Sequence, residues 1–388
     1  MTTRTQPARA SADRYDLVVV GAGIMGATAA LRAAQGGMRV AVVERDGAGS
    51  GASGVNAGTL SLQIKRVALM PYALIGHEWW RRAGDAVGFK RTGGYTLAFN
   101  SREQALLEER MTRKRAAGAP NEFMSSAQVR TREPALSDRI VAASFCAEDG
   151  HADSTRTGAY LRGLLRDGNV ELREHTPVRA IDHGDAGFRV TVPGGAIDAR
   201  RILIASGAWT ASVAAMLGVT LPIEVRVNTV SVTEPGPQHL HAGIGHATGL
   251  LTLKQKASGS FLIGGGWQGR GSPATGRGEV VAETLLQNLR LARFAVPAIA
   301  HARVMRSWTG FEAFVADHYP LAGALPGVAD AYILTCVRGG YTIGPCIGPL
   351  VADLILGRET ALPLFEPARV MDSGAQGDSA SVPASARS

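Results

Sequence analysis

The stretch that decides the fold is YDLVVVGAGIMGATAALRAAQGGMRVAVVE, residues 15–44. Its first six residues end in a run of valines that stops at a glycine, which is typical of a short buried strand. A glycine turn at 21–26 leads into good helix formers, a pair of glycines ends that helix, and a second apolar segment closes on Glu44. The predicted order is therefore strand, glycine turn, helix, strand and acid.

This order is the context in which a G-x-G-x-x-G turn binds a dinucleotide. The first glycine permits the tight turn, the second admits a pyrophosphate, and the third allows the helix to pack on the strand, while the helix N-terminus offers free N–H groups. Glu44 can accept both hydroxyls of a ribose and would repel a 2′-phosphate, so NADP is disfavoured. The alternative is a glycine-rich turn without a ligand. The contacts predicted here are Gly21, Gly23, Ile24, Met25, Gly26, Glu44 and Arg45.

The composition is that of an ordinary globular protein. The 388 residues are 45% hydrophobic and 19% charged, enough for one large or two intertwined domains. The net charge of +8 and the isoelectric point near 9.7 come almost entirely from arginine, and no aromatic residue interleaves the longest basic run, 113–115. Nucleic-acid binding is therefore not favoured, and a solvated arginine-rich surface with a few arginines facing an anionic ligand is the preferred interpretation.

The cysteines Cys146, Cys336 and Cys346 form no C-x-x-C pair, and their number is odd. This favours a reducing compartment without a disulfide framework or a metal site, and each cysteine is interpreted as a small buried hydrophobe. No stretch approaches the roughly 18 apolar residues of a membrane span. We therefore expect a cytoplasmic protein with flexible ends at 1–13 and 371–388.

The loop after Glu44 is rich in glycine and hydroxyl groups, and ordering it is costly unless a ligand offsets the lost entropy. Its polar side chains can bond phosphate or the edge of a ring. A later strand also ends in small residues, where backbone can pass close to a nucleotide. The contacts predicted in these two segments are Ser50, Gly51, Ala52, Ser53, Asn56, Ala57, Gly58, Ala205, Ser206, Gly207 and Trp209.

Two helices are expected around this core. An apolar pattern predicts a long helix over 60–82. The last helix of the chain contains Pro345 and Pro349, which are admissible only if they fall in its first turn. Tyr95 is interpreted as part of a sheet core and His151 as a surface turn residue.

With these residues in hand, the chain resembles the D-amino acid oxidase superfamily of FAD enzymes. Within it, the chain is most similar to the glycine/sarcosine oxidase branch and to the β-type subunits of opine and hydroxyproline dehydrogenases. The resemblance rests on the glycine turn with Glu44, the loop at 51–58, the strand end at 205–209, the WTGF segment at 308–311 with Asp317 and Pro320, and the turn at 339–344. The first motif alone would also fit a nicotinamide enzyme. The last one separates the two, because this superfamily holds the isoalloxazine there.

The resemblance implies an α/β fold in which a Rossmann-type FAD-binding domain is interleaved with an antiparallel-sheet α+β substrate domain. The FAD-binding parts are expected at 14–85, 141–215 and 325–370. The substrate parts are expected at 86–140 and 216–324. FAD is expected to bind noncovalently, because no cysteine lies near the place where some sarcosine oxidases link the flavin.

The same resemblance implies how the flavin is held. Val178 would contact the adenine through its backbone, and the final helix would aim its N-terminus at the N1 and C2 carbonyl edge of the ring. A helix end of about half a unit charge stabilises the negative charge that reduced flavin carries there. The residues expected along the ring are Gly339, Gly340, Tyr341, Thr342, Ile343 and Gly344.

The implied reaction transfers a hydride from the carbon next to an amine nitrogen to flavin N5, giving an imine that water hydrolyses. It needs a neutral amine at a near-attack distance more than a strong acid or base. The substrate would be a D-amino acid, sarcosine or glycine, a proline, or an opine. We therefore look for groups that anchor the substrate.

Several residues depart from the pattern of the superfamily. Where glycine-oxidase-like members bind the substrate carboxylate with an arginine, this chain has Glu312, which either pairs with an arginine or lies near the substrate amine. Arg338 is the substitute carboxylate anchor, and Gly339 replaces a histidine that many members have. Tyr341 is a catalytic candidate for which packing on the flavin is preferred, and Lys65 is a candidate for polarising oxygen or substrate.

The electron acceptor is left open between oxygen and partner subunits. The opine-like resemblance favours a dehydrogenase whose partners carry the electron relay, as this chain has no iron–sulfur cysteines of its own. One alternative is a protein that binds FAD for assembly without turnover, which the loss of the arginine and the histidine favours. Another is a tRNA-modifying flavoprotein, against which the scattered arginines argue.

Overall fold

A computed structural model of the chain describes residues 14–335 and 338–371. The expected flexible end at 1–13, nearly all of that at 371–388, and Cys336 lie outside these residues. The strands are β1 (Tyr15–Val20), β2 (Val40–Val43), β3 (Thr59–Leu60), β4 (Lys90–Arg91), β5 (Gly94–Ala98), β6 (Asn121–Ser125), β7 (Ala142–Cys146), β8 (Gly150–His151), β9 (Glu171–Arg173), β10 (Ala180–Gly184), β11 (Gly187–Val192), β12 (Gly195–Ile204), β13 (Glu224–Thr233), β14 (Gly243–His246), β15 (Thr252–Gln255), β16 (Phe261–Gly264), β17 (Arg270–Ser272), β18 (Arg277–Glu279), β19 (Val304–Phe314), β20 (Leu321–Ala324) and β21 (Ala331–Thr335).

The α-helices are α1 (Ile24–Gln35), α2 (Ala52–Val55), α3 (Met70–Ala83), α4 (Ser101–Ala116), α5 (Ser126–Arg132), α6 (Ser154–Asp167), α7 (Thr210–Ala215), α8 (Ala282–Ala295), α9 (Gly340–Ile355) and α10 (Ala368–Met371). None of these described helices is long and apolar enough to cross a membrane.

The first sheet is built around the stretch at 15–44. Its strand order is β10–β11–β12–β1–β2–β9, and β21 pairs with β12 and with β20. The central pairs β12–β1, β1–β2 and β2–β9 are parallel, so both faces of the sheet are covered. Leu17 and Val19 belong to the core shared with α1 and α9, whereas Val18 and Val20 belong to the core on the opposite face. The predicted α/β fold is confirmed.

The glycine turn after β1 brings three pieces of backbone together. Gly21 has a φ of +111°, and a Cβ there would lie 2.5 Å from the carbonyl oxygen of Ala205. A side chain at Gly26 would collide with the carbonyl oxygen of Gly21. Both glycines are therefore required for β1, the end of β12 and the start of α1 to approach one another.

The second sheet has the order β19–β13–β16–β15–β14–β5–β7–β6, and its strands are antiparallel except for the pair β14–β5. Helix α8 covers one face, where Ala292 and Ala295 share a core with Leu253 and Ile263. Tyr95 is buried in the same core, as the sequence indicated. A small sheet of order β3–β8–β4 lies beside them.

Strand pairing moves two of the expected domain boundaries. The segment 141–215 is expected to bind FAD, but its strand β7 pairs with β5 and β6 in the second sheet. The segment 216–324 is expected in the substrate domain, but its strand β20 pairs with β21 in the first sheet. The two units interleave, with crossovers inside those segments.

The two helix expectations need correction. Helix α3 begins at Met70 and not near residue 60, because Thr59 and Leu60 pair with β8. Pro345 and Pro349 lie inside α9 and not in its first turn. A proline leaves the carbonyl four residues earlier without its helical donor. For Pro345 that carbonyl belongs to Tyr341, and it accepts a hydrogen bond of 2.8 Å from the indole N–H of Trp80.

Candidate active site

A cleft of about 460 Å³ opens where the carboxyl ends of the strands of the first sheet face the second sheet. The glycine turn after β1 and residues 205–209 line one side, and residues 228–230 and 310–313 line the other. The loop at 51–57 and the turn at 338–341 also contribute to the lining. Ligands of open parallel sheets bind outside the carboxyl ends of their strands, so this cleft is the expected place for a cofactor.

Glu44 lies at the end of β2 with its carboxylate folded back onto the glycine turn. Its Oε2 accepts a hydrogen bond of 2.8 Å from the backbone N–H of Ala22, and its Oε1 accepts one of 3.0 Å from the backbone N–H of Asp46. These bonds orient the carboxylate, which retains acceptor capacity for a ribose. Val178 lines the cleft as well.

The N-terminus of α1 faces the loop that follows Glu44. The hydroxyl of Ser53 accepts a hydrogen bond of 2.9 Å from the backbone N–H of Ile24, and Gly23 and Met25 line the cleft there. Asn56 bonds within its own loop, to the carbonyl oxygens of Ala52 and Ser53 and to the N–H of Gly58. Free backbone donors at a helix start are suited to a pyrophosphate.

Trp209 connects the two walls. The guanidinium of Arg45 lies 4.2 Å from the centre of its indole ring, and its indole N–H donates to the carbonyl oxygen of Pro273 at 2.8 Å. The ring of Phe311 contacts it edge-on at 5.7 Å between centroids. These contacts hold this part of the cleft against the second sheet.

The turn that precedes α9 forms the other end of the cleft. Gly339 has a φ of +93°, and the ammonium of Lys65 donates to its carbonyl oxygen at 3.2 Å. A Cβ at Gly339 would collide with that ammonium. The positive φ disfavours a histidine at position 339, and any side chain there would have to displace the end of Lys65. Lys65 is buried behind the turn and does not line the cleft.

Tyr341 faces the protein core. Its ring packs on Trp80 with 4.3 Å between centroids, and its hydroxyl lies 2.7 Å from the hydroxyl of Thr157. Burial raises the pKa of Tyr341 above its ordinary value. This placement favours packing over a catalytic role for Tyr341.

Arg338 and Glu312 both line the cleft. The guanidinium of Arg338 donates to the carbonyl oxygen of Gly265 in the second sheet. The Oε2 of Glu312 accepts a hydrogen bond of 2.6 Å from the side-chain amide of Asn228, whose Oδ1 accepts one of 2.7 Å from Gln268. Arg338 and Glu312 therefore add one positive and one negative side chain to the cleft, besides Glu44, Arg45 and Asp46.

Several residues predicted from the sequence take supporting positions instead of lining the cleft. Gly26 packs on the glycine turn, and Gly58 packs on the carbonyl oxygen of Ala152. The hydroxyl of Ser50 accepts from the N–H of Gly47. The residues outside the cleft lining are Gly26, Ser50, Gly58, Lys65, Thr342, Ile343 and Gly344.

Other lining residues were missed. Asn228, Thr229 and Thr252 belong to strands of the second sheet that are more than 180 residues from the glycine turn in sequence. The strand patterns of β13, which holds Asn228 and Thr229, and of β15, which holds Thr252, were the signal for them. His151 is not the surface turn residue that the sequence predicts, since it pairs with Thr59 in the small sheet, and burial lowers its pKa to about 3.

Comparison with known proteins identifies the family. The model of the DAO family, described as FAD dependent oxidoreductase, matches residues 16–354. The chain belongs to this family. The resemblance inferred from the motifs is thereby confirmed, and the protein is an FAD-dependent oxidoreductase.

Individual proteins of the DAO family are similar to this chain over nearly its whole length. Glycine oxidase of Geobacillus kaustophilus is 29% identical, over 90% of this chain and 95% of its own, and its crystal structure superposes with a TM-score of 0.80. An opine oxidase component of Rhizobium meliloti is 25% identical, over 88% of this chain and 93% of its own. The fold of L-proline dehydrogenase from P. horikoshii matches with a TM-score of 0.85 at 24% identity, over 93% of this chain and 99% of that one.

The cleft of this DAO protein fits FAD. The buried hydroxyl oxygens of Ser206 and Thr229 line it and have no hydrogen-bond partner in the described structure. Buried polar atoms without partners are costly, so these two are the groups that a polar ligand would satisfy. With the oriented carboxylate of Glu44 and the N-termini of α1 and α9, they provide donors and acceptors along the cleft.

Replacing Glu44 with glutamine is expected to weaken FAD binding about tenfold. The amide keeps the size of the side chain but loses the charge that strengthens its bonds to Ala22 and to ribose hydroxyls, a loss of about 1.4 kcal/mol. Fluorescence titration of the apoprotein with FAD measures this. The control is Glu148→Gln, which removes an exposed partner of Arg91. Equal affinities for wild type and Glu44→Gln would contradict the role of Glu44.

Replacing Tyr341 with phenylalanine is expected to leave the rate of flavin reduction within about twofold. The change should lower the free energy of unfolding by about 1 kcal/mol, because the hydroxyl of Thr157 loses its partner. Anaerobic stopped-flow absorbance and chemical denaturation measure the two quantities. A large loss of rate at unchanged stability would instead make Tyr341 catalytic.

Proposed function

We propose that this protein oxidises the C–N bond of an amino acid or a secondary amine, giving an imine that water hydrolyses. The observation that carries the proposal is the pair of opposite charges, Arg338 and Glu312, in one cleft of an FAD-dependent oxidoreductase. An amino acid carries a carboxylate and an ammonium, so the pair matches its two ends. Bound FAD supplies the hydride acceptor.

Arg338 binds the substrate carboxylate. Its guanidinium uses one donor on the carbonyl oxygen of Gly265, which ties it to the end of β16. The planar group has five N–H donors, and two parallel ones can hold a carboxylate. The side chain is exposed at the edge of the cleft, so a substrate can reach it directly.

Glu312 attracts the substrate amine. The bond from Asn228, itself held by Gln268, restrains the carboxylate in the cleft wall. A restrained carboxylate opposite an anchored substrate fixes the direction of the amine and of the neighbouring C–H bond. Orientation of this kind is the main contribution that a protein makes to hydride transfer.

The named relatives support this substrate class. Proteins called glycine oxidase and a component of opine oxidase match about nine-tenths of the chain. We propose a D-amino acid, glycine or sarcosine, a proline or an opine as substrate, and noncovalent FAD. We also propose that electrons leave to partner subunits in preference to oxygen.

We place the reaction in the cytoplasm. Cys146 and Cys346 are buried and unpaired, as expected for a reducing compartment. Burial raises the pKa of both thiols, that of Cys346 to about 12. Both therefore remain neutral and unreactive at neutral pH.

The test is anaerobic mixing of the purified FAD-loaded protein with D-amino acids, glycine, sarcosine, prolines and opines. Bleaching of the oxidised flavin band by one of them is the expected result and names the substrate. Readmission of air then separates an oxidase, which regains the band at once, from a dehydrogenase. A protein that dithionite bleaches and that none of these compounds bleaches would overturn the proposal.

A further inference from the structure

A small cavity shares a wall with the cleft. It measures about 30 Å³ and is lined by Asp149, His151 and Lys254 together with the hydroxyl-bearing residues Thr59 and Ser61. This is room for one or two water molecules. Thr59, Ile64 and Thr252 line both the cavity and the cleft. They form the wall that separates the two spaces.

Lys254 is the cation of this cavity. Only 4% of its surface is exposed, and its Nζ donates to the hydroxyl oxygen of Thr59 at 2.7 Å. Lys254 lies two residues after Thr252 in β15, so both side chains leave the same face of the sheet. No carboxylate forms an ion pair with Lys254 among the residues that the structure describes. A buried ammonium without a counter-ion is costly, which favours the neutral amine.

The pKa values of Lys254 and of the neighbouring His151 are consistent with a neutral amine at Lys254. Burial and, secondarily, the like charge of Lys256 lower the pKa of Lys254 to about 7. Burial lowers the pKa of His151 to about 3, with smaller contributions from Lys254, Lys256 and Lys90 that exceed the opposing effect of Asp153. His151 is therefore neutral at physiological pH.

Asp149 is the remaining titratable group of the cavity. Its carboxylate accepts hydrogen bonds from the hydroxyl of Ser61 and from the backbone N–H of Leu62, and burial raises its pKa. These bonds commit Asp149 to holding the segment that follows β3. Lys254 is thus the basic group of the cavity that contacts the wall of the cleft, through Thr59.

We propose that Lys254, acting through the hydroxyl of Thr59, accepts the proton that the substrate amine must lose before its oxidation. This proposal rests on the proposed function, because it assumes an ammonium in the cleft. The N–H bond of the ammonium breaks, the oxygen of Thr59 takes that proton, and the hydroxyl passes its own proton to the lone pair of Nζ. No electron pair leaves the substrate in this step, and the product is a neutral amine beside the ammonium of Lys254.

This transfer of a proton through Thr59 to Lys254, called the relay below, has a clear physical advantage. Hydride transfer requires the nitrogen lone pair, and an aliphatic ammonium in water keeps its proton until about pH 10. An acceptor with a pKa near neutrality, held one hydroxyl away from the cleft, removes that proton at the pH of the cell. Lys254 contacts Thr59 and not the substrate, so it acts on the substrate amine only through the Thr59 hydroxyl. It is therefore a positioning residue and not a catalytic one.

The first test compares Thr59→Val with Thr59→Ser and Lys254→Met with wild type, using anaerobic flavin reduction from pH 5.5 to 9. The wild-type rate should rise about tenfold per pH unit and level off above about pH 7. The rates of Lys254→Met and Thr59→Val should be roughly 100-fold lower at pH 7.5, and their pH profiles should lack the rise below pH 7. The profile of Thr59→Ser should retain that rise. FAD content and unfolding temperature confirm that each variant is folded.

The outcomes separate the relay from the reaction. An unchanged pH profile in Thr59→Val overturns the relay and leaves the proposed function standing. A wild-type protein that no amine reduces overturns the proposed function and removes the relay with it. If the rise of the rate below pH 7 is lost in Thr59→Val and recovered in Thr59→Ser, the relay is supported even if Lys254→Met does not fold.

The second test needs no substrate. Lysine occurs at only five positions, 65, 90, 114, 254 and 256, so carbon-13 labelling of the lysine ε-carbons gives few NMR signals. The signal missing from Lys254→Met belongs to Lys254, and its titration midpoint should lie near pH 7. A midpoint above about pH 9 would show a charged lysine and overturn the proposal.

Discussion

Replacing Gly348 with leucine is expected to lower the free energy of unfolding by about 3–4 kcal/mol and to abolish FAD retention. Helix α9 packs on α1 at Gly348. A Cβ there would lie 2.7 Å from the carbonyl oxygen of Met25 and 3.0 Å from the N–H nitrogen of Ala29, and it would collide with the hydroxyl of Thr28. The side chain must push the two helices apart, because the interior has no free volume to accept it.

The loss of FAD follows from the position of α1. This helix starts at the glycine turn and presents its first N–H groups to the cleft, and α9 does the same at the other end. Separating α1 from α9 therefore displaces both ends of the cofactor site at once. Circular dichroism during heating and the flavin absorbance of the purified protein measure the two effects.

Gly163→Leu is the matched control. Gly163 lies in α6, and nothing is found within 4 Å of the place where its Cβ would be. Leucine is also the better helix former, so this variant should be as stable as wild type or slightly more so. A Gly348→Leu protein with the unfolding temperature and FAD content of Gly163→Leu would contradict the packing argument.

Replacing Arg338 with methionine is expected to raise the KM for an amino acid substrate roughly 100-fold. The substitution removes a two-bond contact with the carboxylate, worth about 3 kcal/mol where both groups are partly withdrawn from water. The anchor acts equally in the ground state and the transition state, so kcat should change much less than KM. Steady-state kinetics with the substrate found in the anaerobic panel measures both constants.

Arg358→Met provides the control for loss of a positive charge. Arg358 follows the C-terminal end of α9, where its guanidinium lies 3.8 Å from the carboxylate of Asp353, and it does not line the cleft. We expect its KM to match that of wild type. If Arg338→Met also keeps the wild-type KM, the carboxylate is bound by another group and the assignment of Arg338 fails.

Local sequence was sufficient to predict the parts of the cleft in which one short segment supplies all the interacting groups. The glycine turn and Glu44 lie within one strand–helix–strand unit, and the bond from Ala22 to Glu44 closes inside it. The turn at Gly339 was likewise recognisable, because a positive φ and the start of a helix are both local requirements. Sequence did not anticipate that Pro345 lies inside α9, since Trp80, which supplies the missing donor, is 261 residues away from the Tyr341 carbonyl in the chain.

The contacts of Glu312 could not be predicted from the sequence, because they depend on how the strands of the second sheet align. Glu312 was recognised as a departure from the superfamily, but its partner Asn228 was not, because the pair forms only when β13 and β19 align. Lys254 and Thr59 are 195 residues apart and come from different sheets. Nothing in either segment indicates that the lysine is buried or that its partner is a threonine.

The sequence by itself determined the α/β class and a dinucleotide cofactor, because glycines, an acid and a helix start specify both within about 30 residues. The choice of FAD over a nicotinamide rested on the resemblance of the later motifs to a known family. Only the tertiary structure decided which strands belong to each sheet, which side chains share the cleft with Arg338, and that Lys254 is buried against Thr59. Burial and pairing arise when distant segments pack together, and desolvation, which shifts the pKa of a lysine, exists only after that packing is complete.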